Sequence, residues 1–403
     1  MKEVCNMELK ELAANLEIEE YPEKFEEIYK NLGGDNTKFF DKEAFDKLEA
    51  EYKILDEYYD EVMAVAEELR ADYELSMWAS VVTEFVKGAT REDTAKMPFP
   101  KRDSSANDMM TIFPLLALAP MTVEFYKSHG FSTEEIHGIF NVYRISLRLF
   151  KVANGRAGYG GYYSWTRCYV YGDIFDYKTF NFQFYKLSFP AMLLRNRQSG
   201  EFSVIMTEGQ FHSSGLILGA PGCEDEEGSF DAEFSETDGE WVAHEAVGGY
   251  VCRELSSFKK SEWECIVTPG DEVISLHIPR NVDFSAEAID ESIDVGLKMA
   301  KERFPERNPK IVFCSSWLLD PQLAELLGDE SKIVAYGNRF MRFPNGKGNG
   351  RAGFSFVFLG YDQEKLEELP EDTSLRRKLK AFWQNGGNTA FVPGFMTDRI
   401  IEN

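Results

Sequence analysis

The sequence predicts an α+β protein: a helical N-terminal domain, residues 1–177, followed by a mixed-sheet α/β domain, residues 178–403. Apolar residues step by three and four through the first part of the chain. From near residue 178, large and polar residues alternate instead. A chain of 403 residues is also too long for one ordinary core.

The helical part is read first. Phe45, Leu48, Tyr52, Leu55, Tyr59, Val62, Ala66 and Leu69 form one stripe, with charged residues filling a solvated face between them. The spacing predicts one amphipathic helix there. A second helix opens at Ser132, which with Glu135 has the spacing of a capping box. Ile136, Ile139, Phe140, Tyr143, Leu147 and Phe150 supply its apolar face, and "NGRAGYGG" (154–161) ends it.

Strands follow. "FNFQFYKLSF" (180–189) alternates as a half-buried strand does. "EFSVIMTEG", "SGLILGA", "FDAEFSETDGEWVAHEAV" and "EWECIVTPG" continue the run, and "APGCEDEEGSFD" (220–231) reads as an exposed acidic loop. A strand over 273–278 stops at Pro279. A helix then runs from Ser285 to Phe304 on the stripe Ile289, Ile293, Leu297, Ala300 and Phe304. Acidic residues lie at its start and basic ones at its end, matching the helix dipole. "KIVFCSSWLL" is the next strand, and Asp320-Pro321 opens the short helix "PQLAELL". "KIVAYGNRF" and "AGFSFVFLGY" read as two more strands, and "SLRRKLKAFWQNGGNTAFVPG" as a helix and tail. The expected order over 273–360 is β-α-β-α-β-β.

Charge and cysteine usage limit the function classes. The net charge is −25 and the pI about 4.7, a field that repels nucleic acid and anionic membranes. Six cysteines (Cys5, Cys168, Cys223, Cys252, Cys265, Cys314) form no CxxC pair, which fits free thiols in a reducing cytoplasm. The longest apolar run, "FPLLALAP" (113–120), is too short to span a bilayer, and the acidic start argues against targeting to secretion or mitochondria. His129, His137, His212 and His244 have no metal-ligand spacing, and "HE" at 244–245 lacks the second histidine of a zinc-protease motif. No metal is expected.

"TPGDEVISLHIPRNVDFSAEAIDESIDVGLKMAKERFP", "KIVFCSSWLLDPQLAELL" and "SKIVAYGNRF", together roughly residues 265 to 340, resemble a family of two-domain bacterial acyltransferase-like proteins. These pair a helical N-terminal domain with a C-terminal domain similar to the GNAT acetyltransferase fold. The resemblance implies acyl-CoA as co-substrate and a small-molecule acyl acceptor. It makes "ISLHIP" the fourth strand of the GNAT-like sheet and "KIVFCSSW" the fifth, with the pantetheine arm in a gap between them. Backbone groups at Leu276 and Ile278 would pair with that arm. Arg280 and the helix opening at Ser285 would meet the pyrophosphate, because unpaired helix N–H groups favour an anion. The loop "PRNVDFS" departs from the family, whose loop carries spaced glycines. "PNGKGNGRAG" (344–353), with Lys347 and Arg351, reads as a hairpin tip.

Three side chains are candidates for the chemistry. Ser275 and His277 face one side of their strand, and Ile274, Leu276 and Ile278 the other. His277 at the gap could deprotonate an amine, with an ordinary pKa near ~6.5 and a rate rising between about pH 6 and 7.5. A buried neutral histidine bonded to backbone is the other reading. Cys314 is either a nucleophile with His277 as its base or a small buried hydrophobe. Tyr336 either protonates the leaving thiolate or packs. Three functions stay open: an acyltransferase acting on a small amine or similar nucleophile, a thioesterase using Cys314 and His277, and a non-catalytic binding protein on the same fold.

Overall fold

The computed structural model describes residues 7–90, 93–95, 97–161, 163–280, 282–345 and 350–401; Cys5 and Lys347 lie outside them. The chain divides into two compact units, Met1–Phe175 and Asp176–Asn403. The change of periodicity in the sequence falls near residue 178.

The first unit carries helices α1 (Leu9–Asn15) through α11 (Tyr163–Val170). The stripe expected as one helix is two, α3 (Lys42–Tyr52) and α4 (Tyr59–Ala71). Lys53 adopts a left-handed conformation, φ 46°, and ends α3. The break is held by side chains. Glu49 accepts from the N–H groups of Leu55 and Asp56, at 2.9 and 2.8 Å. The buried guanidinium of Arg144 donates to the carbonyls of Lys53 and Ile54. Periodicity survives such a break because the same residues face the core on both sides of it. The second helix does begin at a capping box on Ser132 and Glu135, but it too is split, into α9 (Thr133–Ile139) and α10 (Asn141–Asn154).

The second unit is built on two sheets. One runs in the order β1 (Ile174–Tyr177), β2 (Phe180–Lys186), β11 (Glu272–His277), β12 (Ile311–Ser316), β14 (Val392–Ile400), β13 (Met341–Arg342). The other runs β10 (Trp263–Val267), β3 (Ala191–Asn196), β4 (Phe202–Met206), β8 (Glu240–Val247), β7 (Phe234–Glu236), with β9 (Tyr250–Lys259) paired to β8. Two short strands, β5 (Gln210–Phe211) and β6 (Phe230–Asp231), pair with each other. Leu193, Val204 and Met206 from the second sheet meet Val273, Phe313 and Phe395 from the first in one apolar core. The opposite face of the first sheet is covered by α12 (Ala286–Arg303). Ser285 caps α12, its Oγ accepting from the Ala288 N–H. Ile289 and Ile293 are buried, and Phe304 packs edge-on against Phe184 with ring centres 5.1 Å apart.

Four expectations for this unit are corrected. "KIVAYGNRF" is not a strand: Lys332–Gly337 form a helix, α14, after α13 (Gln322–Leu327). "AGFSFVFLGY" holds only a single turn, α15 (Phe354–Val357), and "SGLILGA" is a loop. Apolar runs this short fit a buried helix or strand equally, and here tertiary packing decides. The tail after α16 (Ser374–Gln384) is the largest departure, because it is β14, placed between β12 and β13. Pro393 and Gly394 argue against a central strand. In the fold Pro393 lies opposite Ser315, and its carbonyl accepts from the Phe343 N–H at 3.1 Å. Gly394 sits where a Cβ would come 2.8 Å from the Phe340 Cβ, so only glycine lets β13 and β14 close there. The observed order from β11 is therefore β-α-β-α-α-β-α-α-β.

Gly296, inside α12, lies against the ring of Phe182, and a Cβ there would overlap that ring. Alanine normally favours a helix over glycine by about 1 kcal/mol, while overpacking a core costs about 1–3 kcal/mol. Gly296→Ala is expected to lower stability by about 1 kcal/mol in urea unfolding, and Gly296→Val by more. A stabilised alanine variant would show that α12 does not bear on Phe182.

Candidate active site

The site begins where two neighbouring strands part. β11 and β12 run parallel, and their pairing covers only Ile274↔Val312 and Ser275↔Phe313. β11 continues to His277 in register with β2, through Leu276↔Phe182 and His277↔Asn181. β12 continues to Ser316 in register with β14. Each strand keeps its outer partner and loses the inner one, so a gap opens between their C-terminal ends. Across it the Cys314 thiol donates to the Leu276 carbonyl at 3.4 Å. A thiol is a weak donor, so this carbonyl is poorly satisfied. Ile278, just past the end of β11, is half-buried.

Register also decides which side chains meet. Paired residues in a sheet point to the same face. Leu276 pairs with Phe182, which lies under α12, and Cys314 is two residues beyond Val312 on that face. His277 shares the other face with Ser275, Phe313 and Gln183. His277 and Cys314 therefore point away from each other, and no nucleophile–base pair is assembled. Cys314 is fully buried, and burial pushes its thiol up to about 12, so it is protonated at neutral pH. The thioesterase alternative needs these two side chains on one face, and the register sets them on opposite faces.

The Nε2 of His277 lies 2.8 Å from the Gln183 Oε1. As Gln183 offers oxygen there, His277 donates from Nε2. Burial lowers its pKa to about 4, well below the ordinary value expected from sequence. Sequence reading misses Gln183, although the alternation of "FNFQFYK" already sets it on the opposite face to the phenylalanines.

Tyr336 lies on α14, not on a strand. It is fully buried, stacks on Phe180 at 6.0 Å and meets Phe284 and Phe340 edge-on. Its hydroxyl lies beside the Cys314 thiol but outside hydrogen-bond geometry, with no partner among the described residues. Burial raises its pKa well above 10. Tyr336 and Cys314 thus share the α12 side of the gap, and His277 the other side.

The loop before α12 carries both signs of charge. Arg280 donates to the Ser355 carbonyl and lies 6.0 Å from the centre of the Phe356 ring. Asp283 accepts from the Ser285 N–H at 2.8 Å and from its hydroxyl at 3.0 Å, and Lys332 stands 4.0 Å from that carboxylate. The start of α12 therefore faces a carboxylate of its own chain. Among the described residues no group of three or more His, Cys, Asp or Glu side chains is arranged to hold a metal ion, and no single helix is long and apolar enough to cross a membrane.

The model of the family described as GNAT-like C-terminal domain matches residues 183–396. No curated protein matches the sequence. Among solved structures, an acyltransferase mutant in complex with octanoyl-CoA aligns with a TM-score of 0.62 at 16% identity, over 98% of this chain and 100% of that one. An acyltransferase in complex with decanoyl-CoA and teicoplanin aligns at 0.61 and 16% identity, with the same coverage. One in complex with decanoyl-CoA aligns at 0.61 and 15%, over 97% and 99% of the two chains. The likeness is one of fold, and it extends over nearly the whole chain.

The low pKa of His277 has a consequence for stability. In the unfolded chain the imidazole titrates near ~6.5. As pH falls below that value the unfolded state takes up the proton first, so stability drops from about pH 6.5 to about pH 4 and then levels off. Allowing for the half-burial of the residue, the loss is about 2 kcal/mol. His277→Gln should flatten this part of a stability-versus-pH curve measured by urea unfolding. An unchanged slope would mean that the imidazole titrates normally in the fold.

Proposed function

The chain belongs to the GNAT-like C-terminal domain family, and on that premise we propose that it is an acyl-CoA-dependent acyltransferase acting on a small amine or similar nucleophile. The parting of β11 from β12 carries this reading. An extended amide-bearing chain such as pantetheine needs backbone partners along a strand, and among the described residues the Leu276 carbonyl, beyond the end of the β11–β12 ladder, is met by a weak S–H donor. Pantetheine amides would replace that thiol at Leu276 and pair with the backbone near Ile278. The neighbours solved with acyl-CoA share this fold.

In this reading the acceptor amine attacks the thioester carbonyl from the His277 side. The N–C bond forms, the C–S bond breaks, and the amine proton passes to His277. The thiolate of CoA leaves toward the α12 side, where the Tyr336 hydroxyl, held protonated by burial, can donate a hydrogen bond to it, and it takes its proton from water. No acyl-enzyme forms, and Cys314 stays a thiol. Arg280 and Lys332 supply positive charge near the start of α12, where a pyrophosphate would have to displace Asp283. One observation favours a second reading, a non-catalytic binding protein: the carboxylate of Asp283 occupies the place an anion would take.

His277→Ala should lower turnover of acyl-CoA with an amine acceptor by about 10²–10⁴, and Cys314→Ala by no more than a few-fold. The limb of the pH–rate profile that belongs to His277 should fall near pH 4 and not between pH 6 and 7.5; any limb at higher pH then reports the acceptor amine. An acyl group found on Cys314 by mass spectrometry, with a dead alanine variant, would replace direct transfer by a covalent route.

Arg280→Glu should weaken CoA binding about tenfold in a calorimetric titration, because it sets a carboxylate beside the pyrophosphate. Unchanged affinity would remove Arg280 from the site. CoA binding without turnover of any amine would leave the binding-protein reading.

A further inference from the structure

Sequence reading sets His212 aside for want of metal-ligand spacing and takes 220–231 as an exposed acidic loop. The structure joins the two. His212 follows β5 directly and starts a tight turn. Its N–H donates to the Leu216 carbonyl at 2.8 Å, and the Gly215 N–H donates to the His212 carbonyl at 2.9 Å. Gly215 takes φ 85°, and its carbonyl accepts from the Val251 N–H at 2.9 Å. A Cβ on Gly215 would come 2.6 Å from the Val251 carbonyl oxygen. The turn is therefore pressed against β9, and the main chain fixes its geometry.

Three side chains meet on this turn. The Ser214 Oγ lies 2.8 Å from the His212 Nδ1, and the His212 Nε2 lies 3.1 Å from the Asp225 Oδ2. A third contact places the protons. The Ser214 backbone N–H points at Nδ1 across 3.2 Å, and a backbone N–H can only donate. Nδ1 therefore carries no proton. The ring proton is on Nε2, which donates to Asp225, and the Ser214 hydroxyl donates to Nδ1. Nucleophile, base and orienting carboxylate stand in sequence, each within hydrogen-bond reach of the next. The imidazole is 13% exposed, while the Ser214 residue is open to solvent.

We propose that Ser214, His212 and Asp225 form a second catalytic centre, one that hydrolyses small neutral or cationic esters. The Ser214 Oγ attacks the ester carbonyl carbon, and its proton passes to Nδ1 as the new C–O bond forms. The imidazolium keeps its Nε2 proton on Asp225. The C–O bond to the leaving group breaks, and that oxygen takes the proton from Nδ1. Water then gives a proton to Nδ1 and attacks the acyl-serine, and the Ser214 Oγ leaves with that proton. A carboxylic acid and an alcohol are released. With Ser214 exposed, solvent meets the oxyanion, so turnover is slow beside that of an enclosed site. Glu224, Glu226 and Glu227 are exposed around Asp225 and repel anionic esters, acyl-CoA among them. The inference does not depend on the transferase reading.

Diisopropyl fluorophosphate and p-nitrophenyl acetate, applied to the full chain, test it. The fluorophosphate should modify Ser214, a P–O bond replacing P–F with loss of fluoride, and peptide mass spectrometry should find the adduct there. Hydrolysis of p-nitrophenyl acetate should fall at least about tenfold in Ser214→Ala and in His212→Ala. The parent chain should hydrolyse this ester faster than the anionic p-nitrophenyl hydrogen succinate. Asp225→Asn should slow labelling and hydrolysis about tenfold or more without moving the adduct, and Asp225→Glu should restore part of the rate. Ser214 and Asp225 are exposed, so their variants should keep the thermal unfolding midpoint of the parent. The Cys223 thiol lies 3.9 Å from the Ser214 Oγ and is the nearest rival nucleophile on the loop. An adduct on Cys223, no adduct at all, or unchanged hydrolysis in Ser214→Ala would each overturn the proposal.

Discussion

Two strands that are each held by an outer neighbour cannot also follow one another to their ends. β11 is committed to β2 through His277, and β12 to β14 through Ser316. Strand twist turns these commitments into a divergence, and the shared ladder stops after Ser275 and Phe313. The gap is thus a product of the whole sheet and not of local sequence. Among the described residues it leaves the Leu276 carbonyl without a ladder partner on β12 at a buried position, which a globular fold rarely tolerates. The Cys314 thiol satisfies it weakly.

The same register sorts the chemistry by face. Odd and even positions on a strand cannot exchange sides without moving the whole strand by a residue. His277 and Gln183 are fixed together on one side, and Cys314 and Tyr336 on the other. A single proton relay through all four groups is therefore impossible. In the proposed transfer, His277 on one side of the cleft and Tyr336 on the other suit a displacement in which the nucleophile enters from one side and the leaving group departs to the other.

Much of this is legible in the sequence, and the rest is hidden for physical reasons. α12 is readable end to end because its cap, its stripe and its charge gradient agree. The alternation of β2 is enough by itself to place Phe180, Phe182 and Phe184 on one face. The stripe over 45–69 has the right periodicity and the wrong continuity, since nothing local announces that Glu49 and Arg144 will hold a break. "KIVAY" suggests a strand for Tyr336 because it is short and apolar, a pattern that strands and buried helices share. β14 escapes local reading because Pro393 and Gly394 answer to Phe340 and Phe343, contacts about 50 residues away that no local rule contains. His277 stands out in the sequence but its low basicity does not, since enclosure is a property of neighbours.

The placement of β14 has a further consequence for how the unit forms. Its register with β12 joins Ile311 to Ile400, and Phe395 belongs to the core between the sheets. During synthesis, β12 leaves the ribosome well before its inner-sheet partner exists. Until the chain has been made through Ile400, one edge of β12 carries unpaired backbone groups and Phe313 lacks one wall of its core. Such an edge is a template for association with other chains. The order of translation thus leaves the fifth of the six strand positions to be filled last, and that template stays open until it is.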